Sequence, residues 1–166
     1  MHAGAGSGSS APARPDGAGR RVAIVAARFN GEVVDRLVDG ATGMLADAGV
    51  HADDVEVVWV PGAFELPLAA RAAASSGRFD AVVALGAVIR GETAHFEFVA
   101  GEAARGLQDA AVATGVPVAF GVLTTDTVEQ AMERAGGAFG NKGRDAAAAA
   151  LEMITVVGGL RARPSG

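Results

Sequence analysis

The sequence predicts an α/β fold: a four-stranded parallel sheet with helices on both faces. Three observations lead there. Short apolar runs alternate with longer segments whose apolar residues recur at helical spacing. The runs are apolar throughout rather than at every second residue, as strands are when both of their faces are covered. Glycine and proline stand at the joins.

Each element follows in order. Val22 to Ala26 is the first strand. Val33, Val34, Leu37, Val38, Ala41, Met44, Leu45 and Ala48 mark one face of the first helix, and Gly49 suits its C-terminal end. Val55–Val60 is the second strand, broken by Pro61-Gly62, and an alanine-rich helix follows from Leu66 to about Ser76. The third strand covers Ala81 to Leu85 with a continuation towards Ile89, and the third helix covers Thr93 to Thr114, stopped by Gly115 and Pro117. Val118 to Val122 is the fourth strand. Asp126 to Ala135 is the fourth helix, with Asp126 and Glu129 at capping-box spacing. Gly136-Gly137 interrupts the chain before a final helix over Asn141 to Val156.

Length and composition narrow the function. At 166 residues the chain is one domain with a real core. Residues 1–19, rich in Gly, Ser, Ala and Pro, read as a mobile tail; 20–160 form the domain and 161–166 a C-terminal tail. His2 lies in the first tail and receives no role. No apolar stretch follows a basic start, so a secretory signal is not expected, and no run approaches the roughly 18 residues of a membrane span. The expected location is cytoplasmic. A net charge of -5 argues against a nucleic-acid partner. Cysteine is absent and the three histidines are scattered, which leaves little for a metal site. A mean hydropathy of +0.30 is high for a soluble monomer and points to apolar surface covered by other subunits. The open edges of a four-stranded sheet point the same way.

The chemically unusual residues fall after the strands, where open α/β sheets bind ligands. They are Arg28-Phe29-Asn30, Pro61 to Glu65, Gly86 to His95, and Thr124-Thr125-Asp126. The third loop is the most informative: its glycine-flanked turn offers unpaired N–H groups to an anion and carries a hydroxyl and an imidazole. Several of these residues have two readings. Phe29 is a core plug or an exposed platform for a planar ring. Glu65 complements a helix dipole or accepts hydrogen bonds from a polyol or amine. Thr93 is an ordinary N-cap or part of an anion site. His95 is structural or moves protons. Arg134 satisfies helix carbonyls, and Lys142 and Arg144 are surface charges, unless the same site recruits them. No triphosphate loop, dinucleotide fingerprint, serine-hydrolase elbow or zinc-protease motif occurs.

Longer motifs carry a family resemblance. They are Ala27 to Asn30, Pro61 to Pro67, Ala84 to Phe96, Phe120 to Thr125, Gln130 to Gly136 and Gly140 to Gly143. Together they resemble the lumazine synthases, in order, from Arg21 to about Met153. The resemblance implies a flavodoxin-like three-layer αβα sandwich. It also implies condensation of 5-amino-6-(D-ribitylamino)uracil with 3,4-dihydroxy-2-butanone 4-phosphate, with loss of phosphate and water and with no cofactor or metal. By position, Phe29 would stack on the pyrimidine. Ala63, Phe64 and Glu65 would hold the ribityl chain and ring edge, and Ala87, Val88 and Ile89 would bind the pyrimidine edge through main-chain groups. Glu92 and Thr93 would frame the phosphate, and His95 would move protons. Phe120, Arg134 and Lys142 would come from a neighbouring subunit, with Arg134 on the phosphate. The implied partners are copies of the chain in pentamers, in some members stacked as decamers or closed into shells of sixty chains, together with a riboflavin synthase association. Many shell-forming members carry lysine where Ala138 stands, and the N-terminal tail lacks the apolar residues of a strand that pairs with a neighbour. A carrier of flavin or lumazine is a rival use of the same pocket, but it needs no phosphate-release set such as Glu92-Thr93, His95 and Arg134. A flavodoxin-like electron carrier lacks its phosphate loop after the first strand.

Overall fold

Val22–Ala27 forms β1, and all of its residues are buried. It lies inside a parallel sheet of order β2-β1-β3-β4, with β2 at Val55–Val60, β3 at Ala81–Ile89 and β4 at Val118–Thr125. The computed structural model describes residues 10–11, 14–162 and 164. The expected tails therefore fall in part, at 1–9, 12–13, 163 and 165–166, outside the described residues. Packing onto the domain begins ahead of residue 20, because buried Gly17 donates its N–H to the Ala48 carbonyl at 2.8 Å.

Val22 pairs with Val55 on one side and Ala81 on the other; Val82 pairs with Val118, and the β3–β4 ladder runs to Ile89 and Thr125. Central β1 and β3 are buried on both faces, which explains why they read as unbroken apolar runs. Helices α1 (Gly31–Asp47) and α5 (Lys142–Arg161) cover one face around Ile24, Leu37, Leu45, Leu85 and Leu151. Helices α2 (Leu66–Ser75) and α3 (His95–Thr114) cover the other around Val25, Leu66, Val82 and Leu107. Each of these fully buried side chains contributes roughly 1.5–3 kcal/mol. The result is the expected three-layer αβα sandwich.

Several boundaries differ from expectation, for local reasons. Strand β4 runs on to Thr125 because β3, itself extended to Ile89, offers it a partner that far. Helix α4 is the short Val128–Glu133, capped by Thr127 and Gln130 rather than by Asp126 and Glu129. Thr127 Oγ1 accepts from the Gln130 N–H at 3.1 Å, and Gln130 Oε1 accepts from the Asp126 and Thr127 N–H groups at 2.8 and 3.2 Å. The Asp126 carboxylate is taken instead by Arg90. Where Gly136-Gly137 was expected only to interrupt the helices, β5 (Ala135–Gly137) and β6 (Gly140–Asn141) pair as an antiparallel ribbon. Gly136 and Gly140 supply its left-handed backbone, at φ 101° and 78°. Helix α5 continues to Arg161, beyond the expected end near Val156.

Helices α1 and α5 approach closely at Gly143, where an added Cβ would overlap the Leu37 carbonyl. Next to it the Asn141 amide donates to the Arg36 carbonyl at 3.0 Å while its oxygen caps the Arg144 N–H at 3.0 Å. Gly143→Ala therefore forces the two backbones apart. Urea unfolding is expected to show a loss of roughly 1–3 kcal/mol, the usual cost of overpacking.

Candidate functional site

The carboxyl ends of the four strands open onto one rim, where the loops no longer have ladder partners and are tied to one another instead. The Arg28 and Phe29 N–H groups donate to the Val60 and Pro61 carbonyls at 2.8 and 3.1 Å, joining the first loop to the second. Asn30 takes the left-handed conformation, at φ 59°, and its amide nitrogen donates to the Ala87 carbonyl at 2.8 Å, joining the first loop to the end of β3. Arg90 joins the third loop to the fourth. Its N–H donates to the Thr125 carbonyl at 2.8 Å and its Nε to Asp126 Oδ1 at 2.8 Å. Its Nη1 lies 3.6 Å from Glu97 in the first turn of α3, and its guanidinium lies 4.6 Å from the centre of the Phe96 ring. The hydrogen bond to Asp126 is the main cause that raises the Arg90 pKa above its ordinary value.

Within this frame lies a cleft of about 910 Å³. Phe29 lines it and is 72% exposed, so it is not a core plug. Ala63, Phe64 and Glu65, on a 3-10 turn leading into α2, line it too. Ala63 is buried and Phe64 is exposed. The Glu65 carboxylate turns back towards Gly62 and makes no ion pair among the described residues. The last residues of β3, Ala87, Val88 and Ile89, form the floor. Thr93 and His95 close the far corner. Glu92 sits exposed on the same loop, outside the cleft's walls.

That corner corrects one expectation. Helix α3 begins at His95 with Ala94 at its N-cap, so Thr93 stands ahead of the helix and does not cap it. Its hydroxyl instead accepts weakly from the His95 N–H at 3.4 Å. The N–H groups of Gly91, Glu92, Thr93 and Ala94 have no partner among the described residues. Four unspent donors before a twenty-residue helix suit an anion. The His95 side chain is exposed and makes no hydrogen bond among the described residues.

Phe120, Arg134 and Lys142 do not join this cleft. They line a second one, of about 450 Å³, along the edge strand β4 with Thr124 and Thr125. The two clefts share no lining residue. Arg134 donates from Nη1 to the Gln130 carbonyl at 2.9 Å, which is the carbonyl-satisfying role that its place near a helix end suggested. The Lys142 N–H donates to the Arg134 carbonyl at 2.8 Å, and its ammonium has no ion pair among the described residues. Arg144 is held at 2.9 Å by Asp47 and faces neither cleft.

A sequence model of the 6,7-dimethyl-8-ribityllumazine synthase family matches residues 19–157. A 6,7-dimethyl-8-ribityllumazine synthase of Edwardsiella ictaluri (strain 93-146) is 61% identical over 143 residues, 86% of this chain and 92% of its own length. The chain belongs to this family. For a member of the lumazine synthases, the residues that pattern reading passed over are the ties. Asn30 before Gly31 carries a local signal for left-handed backbone. Arg90 and Asp126 carry none, since they meet only once β3 and β4 have paired. Among the described residues there is no helix long and apolar enough to cross a membrane, and no group of three or more His, Asp or Glu placed to hold a metal.

Two outcomes test the ties. Asn30→Ala is expected to cost roughly 1–2 kcal/mol for the left-handed backbone and about 1 more for the lost hydrogen bond, whereas Asn30→Gly loses only the second part; urea titration separates them. Arg90→Ala is expected to leave β1 protected while the amides of Glu97 and Phe98, which are bonded to the Ala94 carbonyl in the first turn of α3, exchange faster with deuterium.

Proposed function

We propose that this chain is a 6,7-dimethyl-8-ribityllumazine synthase, a transferase of riboflavin biosynthesis that joins 5-amino-6-(D-ribitylamino)uracil to 3,4-dihydroxy-2-butanone 4-phosphate and releases phosphate and water. The observation that carries this reading is the lining of the first cleft: Gly91 and Thr93, whose amides are unspent, and His95, whose imidazole is unpaired among the described residues, share it with the exposed ring of Phe29. One cleft thus offers a phosphate site, a proton carrier and a ring platform.

Phe29 stacks on the pyrimidine, and the main chain of Ala87, Val88 and Ile89 receives its polar edge. Ala63, Phe64 and Glu65 hold the ribityl chain, with the unpaired Glu65 carboxylate accepting its hydroxyls. Glu92, Thr93 and the amides beside them receive the phosphate. The uracil amine attacks the ketone carbonyl, and loss of water gives an imine. His95 carries protons in these steps, a contribution of about 10²–10⁴-fold in general. Phosphate leaves towards the amides and Arg134, and ring closure with a second dehydration completes the product. The reactants contain their own nucleophile and leaving group, so alignment supplies much of the acceleration.

Arg134, Phe120 and Lys142 reach this chemistry from a neighbouring copy, because their cleft on the same chain is a separate one. Exposed apolar side chains away from the first cleft, among them Leu68, Val112, Met153 and Leu160, support an oligomer. We assign it to pentamers, with closure into a shell as the further step, a riboflavin synthase as the enzyme it serves, and the cytoplasm as its place of work.

Mixing the two substrates with the protein is expected to yield lumazine fluorescence and free phosphate in equal amounts. Ligand binding without phosphate release would instead mark a carrier. His95→Ala is expected to slow turnover and still leave measurable product; a rate unchanged across the pH profile removes His95 from the mechanism. Arg134→Ala is expected to raise KM for the phosphorylated ketone about 10–100-fold, the loss of one charge-assisted contact, with KM for the uracil little changed.

A further inference from the structure

The ribbon between α4 and α5 carries Phe139, which is 66% exposed and therefore fills no core. Its ring lies against a cation: the Arg134 guanidinium carbon is 4.7 Å from the ring centre. The backbone leaves the ring little choice of place. The Phe139 N–H donates to the Glu133 carbonyl at 2.9 Å. Gly137 abuts the Glu133 backbone so closely that an added Cβ would clash, and Gly140 reverses the chain at φ 78°. The Lys142 N–H fixes the Arg134 carbonyl from the far side of the ribbon.

We propose that Phe139 is a positioning residue for Arg134, holding its guanidinium flat so that the N–H edge stays open to fork a phosphoryl group. The inference rests on the reading of Arg134 as a phosphate ligand. An aromatic ring attracts a guanidinium through its face and spends none of its hydrogen-bond donors. One donor goes to the Gln130 carbonyl, and Glu133 stands 3.7 Å from the same nitrogen. The remaining donors lie in the plane of the guanidinium, where two parallel hydrogen bonds to a phosphate can form. Without the ring, a half-exposed arginine beside Glu133 is free to swing onto that carboxylate. Phe139 therefore acts on affinity for the phosphorylated substrate and leaves the uracil pocket untouched.

The test uses the full assembled protein, with inorganic phosphate as the probe in calorimetry and with KM measured for each substrate. Phe139→Ala is expected to weaken phosphate binding about 3–10-fold and to raise KM for the phosphorylated ketone equally, with KM for the uracil unchanged. Phe139→Tyr is expected to keep the affinity, and Phe139→Leu to lose it as alanine does. In the Arg134→Ala background, the change at position 139 is expected to add nothing. Wild-type affinity in the leucine variant, or additive losses in the double variant, overturns the proposal. If Phe139→Ala disturbs assembly, the tyrosine and leucine variants carry the comparison. Phosphate affinity unchanged by Arg134→Ala removes Arg134 from the phosphate and this inference with it. An effect of Arg134→Ala with none of Phe139→Ala removes the inference alone.

Discussion

Parallel pairing of β3 with β1 and β4 is the constraint from which the rest follows. A strand buried on both faces must be apolar along its length, so it brings no chemistry of its own. What it brings is direction. All four strands end on one rim, and beyond the last ladder bond the backbone amides and side chains there are free for other partners. The ties of Asn30 to Ala87 and of Arg90 to Thr125 and Asp126 then fix the loops relative to one another. The cleft between them is held by hydrogen bonds to main chain and by an ion pair, and its exposed side chains remain unspent.

The same construction divides the charged groups. His95 and the open amides stand at the foot of α3, while Arg134 and Lys142 stand beside the edge strand β4. A covalent connection through the short helix α4 and the β5–β6 ribbon keeps the second set near β4. Under the proposed reading each set alone is half of what phosphate release needs: the described lining of the first cleft has an imidazole but no arginine or lysine, and that of the second has a guanidinium and a lysine but no imidazole. A neighbouring copy completes both at once under the proposed reading. The apolar surface that a lone chain leaves in water is the second face of that division.

Most of the fold was legible because burial on both faces writes itself into composition. Val22–Ala27, buried at every residue, falls within one residue of where its apolar run puts it. The walls of the first cleft were legible for a related reason, since residues just past the strands of such a sheet have only the rim to occupy. What stayed hidden depends on pairs far apart in the chain. Asp126 looked like a cap, but Arg90, 36 residues away, claims its carboxylate and Thr127 caps in its place. Thr93 looked like a cap, but the loop needs two more residues before a helix can start. Gly136-Gly137 looked like a break, but with Gly140 it closes a ribbon, and only that closure lays Phe139 on Arg134. Local spacing reports what a segment prefers; which carboxylate or ring it meets is decided by the sheet.

Under the proposed reading, one working site is built from two chains. The sharpest test co-assembles equal amounts of the His95→Ala and Arg134→Ala chains and measures lumazine formation with the phosphorylated ketone well below its wild-type KM, where a loss of ketone affinity shows in full. Random mixing places an intact histidine opposite an intact arginine in about a quarter of the sites, so activity is expected to rise to about a quarter of the wild-type rate. A mixture no faster than the mean of the two variants measured alone would contradict the claim, and would mean that each chain works with its own residues.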